Sequence, residues 1–221
     1  MLVSHSKKFI YIKTAKTAGT SMEAALQKYC LPPGMELPEG RFDQIETEYG
    51  IVAARGANAG ETNKWYNHIP STQVKSQLPP EIWNSYTKFC NIRNPWDKVV
   101  SFFHFRDRDL ASRPENEIFA EFRKFLQPDS NSGRYRIGID THIYFVDGKP
   151  AMDDYIRYDN LTEDYAHICN KLGIENTELP RLKTASRGKK KIDYRKYYDD
   201  DLRDTVAKIF EKEIDVFGWK F

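Results

Sequence analysis

The sequence has no long apolar run. Nothing in its 221 residues approaches the roughly 20 consecutive apolar positions that a membrane-spanning helix requires. Its first residues, MLVSHSKKF, do not have the layout of a secretory signal. The expected location is therefore cytoplasmic, with no membrane partner. Cysteine is scarce: Cys30, Cys90 and Cys169 are far apart, odd in number and without metal-type spacing. That excludes a disulfide scaffold and implies buried thiols in a reducing compartment. An excess of one charge is also missing. A formal net charge of +2 argues against a chain whose main task is coating nucleic acid. There is no internal repeat and no low-complexity linker. The sequon NLT at Asn160 reads as a turn.

What is present suits a folded core. Hydrophobic residues make up 40%, aromatics 14% and charged residues 30%, which fits one domain spanning residues 1–221. Charge is unevenly spread: the stretch from Arg181 to Lys196 carries eight Lys/Arg against one Asp. The short apolar run Phe9–Ile12 reads as a strand, as do Lys88–Arg93 and Tyr155–Tyr158. Helical patterns follow each of them. Thr20 or Ser21 is placed to cap the first helix. Asn94 and Pro95 form the N-cap and first position of another. Further helices are expected over Glu115–Leu126, over LTEDYAHICNKLG and as one closing helix from Asp199. Met35–Asn63 reads as loops with short helical pieces, and His5 as part of a frayed terminus. Strands alternating with helices imply an α/β fold with a mostly parallel sheet, in which ligands bind where strands end and helices begin.

Two such turns carry chemistry. In FIYIKTAKTAGTSMEAAL, Phe9–Leu26, a strand runs into small residues, one glycine and two hydroxyls before a helix. Backbone N–H groups at a helix N-terminus favour an anion. A triphosphate loop would end in Gly-Lys-Ser/Thr; here Gly19 is followed by Thr20 and Ser21, and the lysine stands earlier, at Lys16. In CNIRNPWDKVVS, Arg93 ends a strand and Ser101 follows eight residues on, about two helical turns. Arginine can clamp a phosphate with two parallel hydrogen bonds. The pair of turns points to a ligand with two separate anionic ends.

KTAGTS after an apolar strand, followed by IRNPWDKVVSFF, resembles the sulfotransferase superfamily that uses 3′-phosphoadenosine 5′-phosphosulfate (PAPS). The C-terminal YYDDDLRDTVAKIFEKEIDVFGW is similar to the closing helix of the Golgi-type carbohydrate sulfotransferases and their bacterial relatives. The resemblance implies a P-loop-like three-layer fold with a central sheet flanked by helices, and no metal. It implies that Lys16 lies near the bridging oxygen between phosphate and sulfate and stabilises charge on the leaving phosphate. Thr17, Ala18, Gly19, Thr20 and Ser21 would wrap the 5′-phosphate, and Arg93 and Ser101 would take the 3′-phosphate. YIRYDNL resembles the family's strand ending, making Tyr158 a nucleoside contact. SRGKK resembles the late basic loop of the cytosolic branch, making Ser186, Arg187, Gly188 and Lys189 further 3′-phosphate contacts. A solvated basic surface is the plain alternative for that run.

An attacking hydroxyl needs a base, most often a histidine or a carboxylate. His68, in YNHIP, lies before the second motif in a context similar to the HxP of the cytosolic sulfotransferases and is the expected base. His104 follows Ser101 by three residues and reads as a packed helix residue. His142, Glu61 and Asp140 are candidates without a place, and His167 falls on a helix far from both turns in sequence. The expected activity is transfer of a sulfuryl group from PAPS to a hydroxyl of a small molecule or carbohydrate, leaving adenosine 3′,5′-diphosphate (PAP). Residues 35–63 and 106–143 are expected to shape the acceptor pocket. A P-loop nucleotide kinase explains the first turn but not the second. A non-catalytic polyanion binder explains only the basic run.

Overall fold

A computed structural model describes the chain except residues 39, 57, 58, 108, 134, 136, 176 and 181–191. The chain divides into two compact units, Met1–Ile92 with Asp140–Leu182 and Arg93–Ile139 with Lys183–Phe221.

The first unit is built on a six-stranded sheet. Its strands are β1 (Leu2–Ser4), β2 (Phe9–Ile12), β3 (Ile45–Thr47), β4 (Gly50–Val52), β5 (Thr87–Ile92) and β8 (Asp154–Arg157), in the order β3-β4-β1-β2-β5-β8. β2 pairs with β5 and β5 with β8 in parallel, with Ile12 opposite Cys90 and Ile92 opposite Arg157. β1 is antiparallel to both β2 and β4, and β3 to β4, so β2, β4, β5 and β8 share one direction. β2 is buried throughout because it is flanked by strands on both sides and covered on its faces. Helices α1 (Gly19–Leu26) and α8 (Leu161–Lys171) supply that cover. Met22 and Leu26 from α1, and Tyr165, Ile168 and Cys169 from α8, join Phe9, Tyr11, Phe89 and Ile156 of the sheet in one cluster. A large apolar side chain fully buried in this way contributes about 1.5–3 kcal/mol. The three cysteines are buried and form no disulfide.

Short helices α2 (Ala59–Thr62), α3 (Ser71–Gln77), α4 (Pro80–Ser85) and α7 (Thr141–Tyr144) complete this unit. They are joined by a hairpin of β6 (Phe145–Val146) and β7 (Lys149–Pro150). Asp147 and Gly148 turn that hairpin with φ of 51° and 76°, the double positive φ of the turn that Asp-Gly favours.

The second unit is helical: α5 (Pro95–Arg106), α6 (Glu115–Phe125), α9 (Asp200–Ile209) and α10 (Glu211–Phe217). The Asn94 side chain accepts from the N–H groups of Trp96 and Asp97, as the Asn-Pro pair leads one to expect. Aromatic rings fill this unit: Phe122 meets Tyr197 and Tyr198 edge-on, and Trp96 meets Phe221.

Several sequence expectations need correction. Met35–Asn63 holds β3 and β4, whose three-residue runs are too short to show a period of two. His5 is not frayed: its N–H bonds the Tyr49 carbonyl, its Nδ1 sits 3.0 Å from the Tyr86 hydroxyl, and the strand before it lies inside the sheet. The N-cap of α1 is Ala18 in the left-handed region, not Thr20 or Ser21, which lie within the helix. The single closing helix is two, broken at Phe210.

Candidate functional site

The first strand-to-helix turn leaves β2 at the carboxyl end of the parallel strands. Lys16 and Ala18 both take positive φ, 59° and 68°. For residues with a Cβ this conformation costs about 1–2 kcal/mol each. Alternating handedness of this kind turns successive N–H groups toward one concavity, an arrangement that receives anions. No side chain caps α1, and its first turn holds no acid. Lys16 and Thr20 are half-buried, while Gly19 and Ser21 are buried. Thr17 is fully buried. Its hydroxyl lies 2.6 Å from that of Thr14, which donates to the Asn91 carbonyl on β5 at 2.7 Å. The side chain of Thr17 thus props the loop from beneath, and what it offers an anion is its backbone.

Below the loop lies a charged cluster that the motifs did not disclose. Lys13, at the end of β2, reaches Glu23 of α1 with Nζ 2.6 Å from the carboxylate. Arg55 lies 3.1 Å from the same oxygen, and the Met1 amino group 3.6 Å from the other. Burial alone would raise the Glu23 pKa. The Met1 amino group, Lys13 and Arg55 outweigh it, and the carboxyl is held below its ordinary value. The Lys13 stem passes against Gly19, where an added Cβ would stand 2.7 Å from its Cγ. The sequence signal was a lysine closing an apolar strand and a glutamate on the apolar face of the next helix. Each alone reads as exposed.

His68 belongs to the same unit. Its segment is pinned on both sides: the Ala54 N–H donates to the Trp65 carbonyl and the Asn67 N–H to the Ala54 carbonyl, with Trp65 and Ile69 buried. Between these anchors His68 takes φ 63°, a conformation histidine tolerates better than most residues. Its Nδ1 lies 3.1 Å from the Lys13 carbonyl oxygen. A carbonyl only accepts, so this bond places the hydrogen on Nδ1 and leaves the lone pair on Nε2. The ring is open to solvent on one side. Protein packed on its other side lowers its pKa from the ordinary value to about 4, against the upward pull of Asp140 and Glu23 and with the help of Lys13 and the Met1 amino group. At neutral pH the imidazole is therefore uncharged, with its lone pair on Nε2.

Asp140 reaches the same loop from 125 residues further along the chain. It is 2% exposed, and its Oδ2 accepts the Ala15 N–H at 2.9 Å. The Ser71 hydroxyl, at the start of α3 just after His68, donates to the Ile143 carbonyl in α7 just after Asp140. The histidine and carboxylate segments are thus fastened together. Tyr158 stands half-buried directly after β8. Glu61, His142 and His167 are exposed on α2, α7 and α8.

In the second unit, Arg93 and Ser101 are both buried. The Arg93 Nε lies 2.6 Å from Asp97 Oδ2 one turn on, which fixes the plane of the guanidinium. His104 packs inside this unit with Nε2 2.8 Å from the Tyr197 hydroxyl, as its helix position suggested. Ser186, Arg187, Gly188 and Lys189 lie outside the described residues. Among the described residues no group of three or more His, Cys, Asp or Glu side chains is arranged to hold a metal ion, and no helix is long and apolar enough to cross a membrane.

Compared with protein families, residues 1–220 match the sulfotransferase family. The chain belongs to the sulfotransferase family. That membership supports a sulfotransferase as the enzyme class and an acceptor substrate of some kind. An uncharacterized protein of Archaeoglobus fulgidus is 28% identical over 120 residues, which is 53% of this chain and 93% of that protein. No solved structure matches. The family assignment agrees with the resemblance carried by KTAGTS and IRNPWDKVVSFF, and the α/β fold with its central sheet flanked by helices agrees with the expected class.

Proposed function

We propose that this sulfotransferase moves a sulfuryl group from PAPS to a hydroxyl of a small-molecule or carbohydrate acceptor, by in-line displacement with His68 as base. The observation that carries the reading is the bond from His68 Nδ1 to the Lys13 carbonyl. It ties an imidazole with a free Nε2 lone pair to the stretch that leads, three residues later, to Lys16. Base and loop are positioned by the same strand end.

In the step, Nε2 takes the acceptor's proton as the acceptor oxygen bonds to sulfur. The bond from sulfur to the bridging oxygen breaks, and PAP departs with the electron pair. The loop from Lys16 to Ser21 holds the 5′-phosphate through its N–H groups and hydroxyls. Lys16 offsets the charge that grows on the departing oxygen. Arg93 and Ser101 hold the 3′-phosphate that separates this donor from ATP, and Tyr158 contacts the nucleoside. Most of the rate comes from positioning and electrostatics. No step calls for a metal. The acceptor lies against residues drawn from 35–63 and 106–143, and the three reduced thiols suit a cytoplasmic enzyme.

A screen of sugars, phenols and simple alcohols with isotopically labelled PAPS tests the reading. It expects one acceptor class to gain the mass of a single sulfuryl group, with PAP released in equal amount. PAP release without any sulfated product, or no turnover of PAPS with any class, overturns it.

A further inference from the structure

We propose that Asp140 is a positioning residue for this reaction, clamping the phosphosulfate loop at Ala15 and holding a negative charge beside the His68 imidazole. The inference rests on the function proposed above and deepens it. Asp140 cannot be the base itself. Its carboxylate is shut away from solvent, and one oxygen is committed to the Ala15 N–H. A buried carboxylate is costly unless it is bonded and its charge is used. Here both conditions are met. The hydrogen bond falls on the residue immediately before Lys16, so it sets where the lysine's backbone begins its left-handed turn. His68 Nδ1 bonds the Lys13 carbonyl two residues before Ala15, so carboxylate and imidazole meet the same strand end, and the carboxylate raises the ring's affinity for a proton. The other charges acting on the ring are Lys13 and the Met1 amino group, which lower that affinity, and Glu23, which raises it.

The consequence is a division of labour. In the resting enzyme, packing keeps His68 neutral. When Nε2 takes the acceptor's proton, the imidazolium forms in a place that would otherwise resist it, and Asp140 makes that charge tolerable. The Ser71 to Ile143 bond keeps the two segments in register while this happens.

Two substitutions separate the roles. Asp140→Asn retains an oxygen for the Ala15 N–H and removes the charge. Ala15→Pro retains the charge and removes the N–H. For Asp140→Asn, kcat should fall roughly tenfold or more at nearly unchanged KM for PAPS, and the His68 protonation midpoint, followed by ring NMR, should drop below that of the parent. For Ala15→Pro, KM for PAPS and Kd for PAP should rise several-fold with the midpoint unmoved. Should Asp140→Asn fail to fold, Asp140→Glu replaces it, keeping the charge while displacing the clamp, and should behave as Ala15→Pro does. A parental kcat and midpoint in Asp140→Asn, or the same losses in both variants, overturns the proposal. If the parent enzyme transfers no sulfuryl group to any acceptor, the functional reading fails, while the His68 midpoint still decides the role of Asp140.

Discussion

The two strand-to-helix turns are built by different means. At the first, the helix starts at Ala18 with no side-chain cap and no acid in its first turn, and two residues with Cβ atoms adopt positive φ. At the second, Asn94 caps the helix, proline fills its first position, and Asp97 already pairs with Arg93. The first turn spends stability to present backbone amides, and the second is internally satisfied and presents side chains. Under the proposed function, a phosphate held by those amides would be gripped by shape, and substitution of one side chain would not remove it. A 3′-phosphate held at the second turn, as proposed, would depend on side chains, Arg93 and Ser101 first among them.

The largest effects should come from the groups nearest the reacting sulfur. Lys16→Ala and His68→Ala should each lower kcat by about 100-fold or more with circular dichroism unchanged. Full turnover in either variant removes that residue from its role. Arg93→Ala should act on binding, raising KM for PAPS roughly tenfold or more, whereas no single hydroxyl removal in the first turn (Thr20→Ala, Ser21→Ala) should match it. Equal effects at the two turns would erase the contrast.

The pH profile sharpens it further. With the His68 pKa lowered to about 4, the acidic limb of kcat/KM should fall near pH 4 rather than near an ordinary histidine value of about 6.5. Stability should move the same way. Between those values the unfolded chain binds a proton that the folded ring refuses, so stability declines as pH falls through that window. An acidic limb near 6.5 would mean that the packing around the ring does not act as described.

The smallest effects concern the folding cost of each turn. Asn94→Ala should destabilise by about 1 kcal/mol through the lost cap. Ala18→Gly should stabilise by about 1 kcal/mol, because glycine takes positive φ without penalty. In a chain of this size these amount to roughly 2–4 °C in Tm, in opposite directions. Destabilisation by Ala18→Gly would mean the turn is not strained.

Much of this was legible in the sequence, and for identifiable reasons. β2 is a continuous apolar run because it is central in the sheet, and Asn94-Pro95 announces its helix through cap chemistry. KTAGTS and IRNPWDKVVS named both turns. The context of His68 singles it out as the candidate base. The missed parts depend on contacts distant in sequence. Lys13 and Glu23 look like surface charges until Arg55 and the end of β2 are brought together. Asp140 lies 125 residues from the Ala15 N–H that it accepts. β1, β3 and β4 are three residues each, and only their pairing makes them strands.

The central claim, that the two turns serve the two phosphates of one donor, is tested most directly by calorimetric titration of PAP and of adenosine 5′-phosphate into the parent enzyme and Arg93→Ala. PAP should bind the parent roughly tenfold or more tightly than the nucleotide lacking the 3′-phosphate, and Arg93→Ala should abolish that advantage while leaving adenosine 5′-phosphate binding unchanged. Equal affinity for the two nucleotides in the parent, or an advantage that survives Arg93→Ala, would contradict it.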